Sequence, residues 1–329
     1  MLKNYFVVTL RNLRKSGTYS LINIAGLSIG ITCSILLLLW VYDELSFDRF
    51  YPKADRLYKV MANVTYDGKI NTWGAVALPA YDLLKTEDSR IVNTCVADWG
   101  DNFLLANGEN KIRKAGHFVT EEFLSMFEFP LLKGDPASAL RDPGSIVISE
   151  AAAKALFGEE DPINKIIRVD NKYEQKVTGV MVNVPKNSTF QFDCLLPWKV
   201  HEDSNPWIKT SRTNWGNYSF GVYVELNGAQ SREVVEGIIR DLPTRKGKTD
   251  EVKHEFWLYP LTQWRLYSVF ENGKIAGGGI EYVQLFSIIA AFILIMACIN
   301  FMNLATARSE RRAKEVIATA CLTHRYIDT

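Results

Sequence analysis

No aspartate or glutamate precedes Asp43, and no charged residue of either sign occurs from Ser16 to Tyr42 or from Tyr282 to Ala307. Each gap is longer than the ~20 residues that cross a ~30 Å hydrocarbon core as a helix at about 1.5 Å per residue. An ordinary soluble chain is thereby excluded. Residues that carry chemistry are scarce as well, with 4 histidines and 5 cysteines in 329 residues. Neither HExxH nor CxxC occurs, and His117, His201, His254 and His324 are remote from one another. Gly247-Lys248-Thr249 ends like a phosphate-binding loop, but Leu242 stands where the first glycine is required. No Ser-His-Asp constellation is specified, no cofactor is called for, and Asp98 and Asp101 read as turn caps ahead of a loop metal site. With 38 basic and 37 acidic residues, the chain lacks the basic excess of a nucleic-acid binder.

The gaps themselves read as membrane helices, over 21–42 and 282–307. Only a helix satisfies its own backbone hydrogen bonds in lipid. A cleaved signal peptide fits the first poorly, because its apolar run is too long and Trp40-Val41-Tyr42-Asp43 is a poor cleavage site. Lys3, Arg11, Arg14 and Lys15 flank the first span, and Arg308, Arg311, Arg312 and Lys314 the second. Positive flanks stay inside, so both termini are expected in the cytoplasm and residues 43–281 outside. Trp40, Tyr42 and Tyr282 suit an outer aromatic belt. Residues 1–20 carry an amphipathic helix, with Leu2, Tyr5, Phe6, Leu10 and Leu13 on one arc, lying along the lipid headgroups. Of the cysteines, only Cys95 and Cys194 fall in the outer segment, where one bridge is possible.

The outer segment mixes strands and helices without regular alternation, which favours an α+β fold. Ala54–Val64 passes from helix into strand. Helices are expected over Ala80–Thr86, over Thr120–Phe127 from a Thr120 cap, and over Ser149–Phe157 from a Ser149 cap to a Gly158 stop. Strand signals cover Ser145–Ile148, Lys165–Val169, Gln175–Val184, Phe220–Leu226 and Lys253–Tyr259. Ser231–Leu242 sets Val234, Val235, Ile238, Ile239 and Leu242 on one helical face. Gly277-Gly278-Gly279 reads as a flexible joint before the second span.

Inside the spans, Gly26, Gly30 and Ser34 recur every four residues, a face that admits a second helix closely. Asn300 and Asn303 call for hydrogen-bond partners, and together these features imply more membrane helices than two. RSERRAKEV after Ala307 continues as a charged helix that could carry force to a cytoplasmic partner.

Several segments in order resemble the FtsX-like, MacB-type permeases of ABC transporters. They are NYFVVTLRNLRKSGTYSLINIAGLSIGI (4–31), DELSFDRFYPKADRLYKV (43–60), ISEAAAKALFGEEDPINKII (148–167), VTGVMVNVPKNSTFQFD (177–193) and INFMNLATARSERRAKEV (299–316). The resemblance implies an extracytoplasmic α+β domain, a porter-like part with an inserted β-rich part, flanked by transmembrane helices in a bacterial inner membrane. It implies a non-catalytic subunit that pairs with a second permease copy, sits in membrane lipid and rests on a separate ATPase, with a periplasmic adaptor as a further partner. By mechanotransmission, ATP-driven closure of that partner would move the outer domains on drugs, peptides or envelope substrates. Glu310, Arg311, Arg312, Lys314 and Glu315 would enter the ATPase-facing coupling segment. Asn164 departs from the motif, which usually has glycine there. After Val316 the chain reads IATACLTHRYIDT where the family continues to a third and fourth span, so 308–329 is expected to be the stub of a truncated or frameshifted permease, atypical from about 317.

Two other classes are weighed. A two-helix sensor would continue into heptad helices or a catalytic domain, which the stub after Ala307 cannot hold. A membrane-anchored envelope enzyme lacks a catalytic constellation.

Overall fold

The computed structural model describes residues 17–247 and 252–325. The amphipathic segment expected before residue 16, and Lys248 and Thr249, lie outside the described residues. Two compact units emerge, one carrying both long apolar helices and the other running from Ser46 to Gly279. The first helix, α1 (Gly17–Ser46), continues past the expected end at Tyr42 and takes in Asp43 and Glu44.

The outer unit opens with one turn of 3-10 helix at Ala54–Arg56, then β1 (Leu57–Tyr66), β2 (Lys69–Trp73), β3 (Val76–Ala77), α2 (Pro79–Glu87) and β4 (Ile91–Ala97). A long middle stretch follows: β5 (Asp101–Asn107), β6 (Asn110–Val119), α3 (Phe123–Phe127), β7 (Leu131–Lys133), β8 (Ser145–Ser149), α4 (Glu150–Phe157), β9 (Ile166–Val169), β10 (Tyr173–Met181), β11 (Cys194–Pro197), α5 (Trp198–Ser204) and α6 (Pro206–Ser211). The unit closes with β12 (Tyr218–Leu226), α7 (Arg232–Ile239), α8 (Leu242–Gly247), β13 (Lys253–Pro260), β14 (Val269–Glu271) and β15 (Lys274–Gly277), before α9 (Gly279–Arg325).

Pairing resolves this list into two parts. Strands β4, β12, β1 and β13 lie side by side, each antiparallel to its neighbour. With α2 between β1 and β4, and α7 and α8 between β12 and β13, this is the split βαβ arrangement. Alternation on β1 sends Tyr58, Val60, Ala62 and Val64 into one core with Leu84 of α2 and Val235 and Ile239 of α7. Leu57, one position out of phase, enters a second core on the opposite face. The middle stretch is inserted between β4 and β12. Its strand β11 pairs with both β8 and β6, so β6, β11, β8, β10, β9 and β5 close into a six-stranded ring. The ring is the β-rich insertion, and closure removes exposed strand edges.

Local chemistry explains several joints. Ser149 caps α4 by accepting from the Ala152 N–H, and Gly158 ends it at a φ of 63°. Asp67-Gly68 holds positive φ at the two-residue turn between β1 and β2, and Asp170-Asn171 does so in the three-residue loop between β9 and β10. Asn164, at the position where a glycine was expected, has φ 66°. Asparagine is among the few residues with a Cβ that tolerate this region, so the departure keeps the turn.

Some expectations require correction. Thr120 does not cap α3, whose preceding residue is Glu122; its hydroxyl accepts from the Val96 N–H instead. Ser231–Leu242 is broken into α7 and α8, and Val234 is exposed while Val235, Ile239 and Leu242 are buried. Gly278 has φ 136°, and an added Cβ there would meet the Ser268 nitrogen at 2.7 Å, so this position requires glycine.

Candidate functional site

In the helical unit the small residues of α1 meet α9 in antiparallel order. A Cβ added to Gly26 would lie 3.0 Å from the Asn300 amide nitrogen, and one added to Gly30 only 2.7 Å from the Ala297 Cβ. One turn further along, the Ser34 hydroxyl donates to the Ala290 carbonyl at 3.0 Å and is itself buried. Trp40 then meets Phe286 edge-on with ring centroids 5.0 Å apart. The glycines let the backbones approach closely, and the serine ties them with a bond that lipid cannot offer. The second helix of the same chain therefore occupies the small-residue face. Asn300 belongs to this seam, whereas Asn303 is exposed on α9 outside it. Both α1 and α9 are long and apolar enough to cross a membrane.

Beyond the apolar stretch, α9 carries the charged segment as continuous helix. Glu310 and Lys314 are exposed and bonded to each other at 2.9 Å, one turn apart. Arg311, Arg312 and Glu315 lie on the same helix. At 100° per residue, Glu310 and Lys314 share a face.

The outer unit begins with a polar fastening that the sequence reading passed over as an acidic membrane flank. Asp48 has φ 58° and is fully buried. One carboxylate oxygen accepts from the Thr189 N–H at 2.6 Å, and the other accepts from the Thr189 hydroxyl. The Asp48 N–H donates to the Asn187 carbonyl at 2.9 Å, and the Asn187 amide reaches the Ser46 hydroxyl at 3.1 Å. Tyr51 and Ser188 complete the row at 2.8 Å. Burial pushes the Asp48 carboxyl above the usual range, and the two bonds from Thr189 oppose that shift. Residues 46–51 are thus bonded into the loop 187–189, within the VPKNSTFQFD segment. No periodicity links Asp48 to Thr189; only the Phe-Asp-Arg-Phe context, with an acid among aromatics, hinted at burial.

Cys95 and Cys194 are separate, correcting the bridge considered for them. Cys95 on β4 packs into the core around Phe123 and Phe127, and Cys194 on β11 into the other core. Burial pushes both thiols above the usual range, which disfavours their thiolates. Asp98 caps a turn through Gly100 and holds His117, and no group of metal-ligating side chains occurs among the described residues.

The sequence profile of the MacB-like periplasmic core domain matches residues 20–242, more than half of the chain. No curated protein sequence gives a match. Among solved structures, a domain described as that of a permease protein from Porphyromonas gingivalis superposes with a TM-score of 0.54 at 21% identity, over 71% of this chain and 98% of that one. The extracellular domain of the ABC-type transporter YknZ from Gram-positive bacteria gives 0.44 at 13% identity, over 61% and 98%. The periplasmic region of MacB from Actinobacillus actinomycetemcomitans gives 0.43 at 15%, over 64% and 91%. The first likeness speaks for the fold; the profile match carries the family. With its split βαβ sheet, inserted ring and paired apolar helices, the chain belongs to the family of the MacB-like periplasmic core domain, the outer domain of MacB- and FtsX-like permeases.

Proposed function

We propose that the chain is a permease subunit that couples ATP hydrolysis in a separate ATPase to movement of its own outer unit. The supporting observation is the seam of Gly26, Gly30 and Ser34 against Asn300, Ala297 and Ala290. It makes α1 and α9 one mechanical element, continuous at one end with a family-typed outer domain and at the other with the charged turn Glu310–Glu315. In this reading residues 1–20 and 308–329 are cytoplasmic, 21–42 and 282–307 span the inner membrane, and 43–281 face outward. Hydrolysis belongs to the partner, and a second permease copy completes the assembly.

Two measurements test it. Protease added to intact spheroplasts should digest the middle segment and spare tags on both termini; loss of either tag from outside refutes the orientation. Charge reversal at Arg311 and Arg312 should reduce co-purification of the genomically neighbouring ATPase by at least roughly tenfold, given several exposed charge pairs worth about 0.5 kcal/mol each acting together. Undiminished recovery refutes the coupling role.

A further inference from the structure

A cleft of about 340 Å³ opens where the β4–β5 turn meets α5, α6 and β12. Its walls are aromatic. Trp207 is half exposed and stacks on Phe220 at 5.6 Å with the rings 24° apart. The His201 imidazole stacks on Phe118 at 4.4 Å and 18°. Trp99 stands largely exposed, its indole N–H donating to the Ser219 carbonyl at 3.0 Å. Such stacking fixes each ring face in place before any ligand arrives.

Two carboxylates share this cleft, and their hydrogen bonds are one-sided. Asp98 accepts from Gly100 N–H, Phe118 N–H and the His117 ring, all through Oδ1. Asp101 accepts from the Asn102 N–H, again through Oδ1. Neither lysine nor arginine is among the lining residues. Burial lowers the His201 pKa from 6.5, so that ring is uncharged at neutral pH. Lys59 lies over Trp99 with its Nζ 5.2 Å from the ring centroid, so this ring already has a cation. Trp207, Phe220, His201 and Phe118 line the cleft as well.

We propose that this cleft binds a compact organic cation, an alkylated ammonium group carrying an apolar substituent. Aromatic faces attract such a charge through their quadrupoles, and the benefit grows as water is excluded. The carboxylates decide the sign: an anion would meet repulsion, and a neutral apolar guest would cover Asp101 with nothing to offset its lost hydration. The volume sits at the low end of the ~300–1,000 Å³ typical of small-molecule sites, which suits one head and one short substituent.

Calorimetric titration of the full chain in non-ionic detergent with benzyltrimethylammonium tests the assignment. One saturable site is expected, with benzyl alcohol and benzoate each binding at least about tenfold more weakly. Asp101 and Trp207 are exposed, so Asp101→Asn and Trp207→Ala should leave the fold intact, and each should weaken the cation by about tenfold. Equal affinity for benzyl alcohol, unchanged affinity in both variants, or no saturation by roughly 10 mM overturns it. The titration reads binding alone, so its failure leaves the transport reading standing.

Discussion

Lys59 is the residue whose replacement should make the outer unit more stable. It lies on β1 with its ammonium over Trp99 and Tyr223, 5.2 and 5.9 Å from the ring centroids. No carboxylate pairs with it among the described residues, and burial pushes its pKa from 10.5 down to about 8. At 1.36 kcal/mol per unit, that depression costs the fold about 3 kcal/mol. The two rings return about 1 kcal/mol. Lys59→Met keeps the stem and removes the charge, and should therefore gain about 2 kcal/mol. Urea unfolding read by tryptophan fluorescence is suitable, since Trp40 alone of the 8 tryptophans lies outside the outer unit. With a slope near ~2 kcal/mol/M, the midpoint should rise by about 1 M. The pH dependence has a fixed sign. Between about 8 and 10.5 the unfolded chain holds this proton and the folded chain does not, so native stability rises with pH across that window. Below 8 the full penalty applies. The gap between the two proteins, in which the buried tyrosines cancel, should be widest below pH 8 and vanish near 10.5. A variant no more stable than the parent, or a gap that ignores pH, refutes the reasoning.

Gly30→Leu should force the membrane helices apart, because even a Cβ there falls 2.7 Å from the Ala297 Cβ. A loss of about 1–3 kcal/mol is expected, seen as a lower thermal midpoint by circular dichroism in detergent. Asp48→Ala strips the acceptors from the Thr189 N–H and hydroxyl and should cost about 2–3 kcal/mol in urea unfolding. Asp48→Asn keeps an oxygen for the N–H and offers the hydroxyl a donor, so it should cost visibly less. Ser149→Ala removes the α4 cap and a 2.6 Å bond to Asp193, for about 1–2 kcal/mol in the same assay.

The two long apolar helices were legible because the absence of charge over some two dozen residues points to such a helix, and the glycine repeat because period four maps onto one helical face. Ser149 and Gly158 were legible because a cap acts within four residues. Legibility ended where partners lie far apart along the chain. Asp48 was read as a flank because its acceptor role depends on Thr189, and nothing in the local pattern announces a contact across 141 residues. Cys95 and Cys194 were compared as a pair because both lie in the outer segment. They were kept apart by strand phase, which sends each into a different core. The ring's closure was equally hidden, since β11 is four residues long and its double pairing is a property of the sheet. The aromatic cleft draws on β5, α6 and β12 at once, and its rings read singly as core.

The way the outer unit is threaded limits how it can deform. The chain enters the split βαβ sheet at β1 and leaves it at β13, and these strands are direct antiparallel neighbours, Tyr58 facing Pro260 and Thr65 facing Lys253. Entry and exit therefore lie at the same end of one two-stranded ribbon. The ring departs from Ala97 and returns at Tyr218, and the register that sets Leu57 against Glu225 and Ala97 against Gly221 puts those joints toward the other end. Sliding β1 against β13 would break a ladder of eight residue pairs at about 1 kcal/mol per bond. Within the helical unit, independent axial shifts of α1 and α9 are resisted by the Gly26–Ser34 seam; within the outer unit, slippage of β1 on β13 is resisted by this ladder. In the proposed mechanism the ring, inserted at the far joints of the sheet, is then carried as a rigid body rather than reshaped.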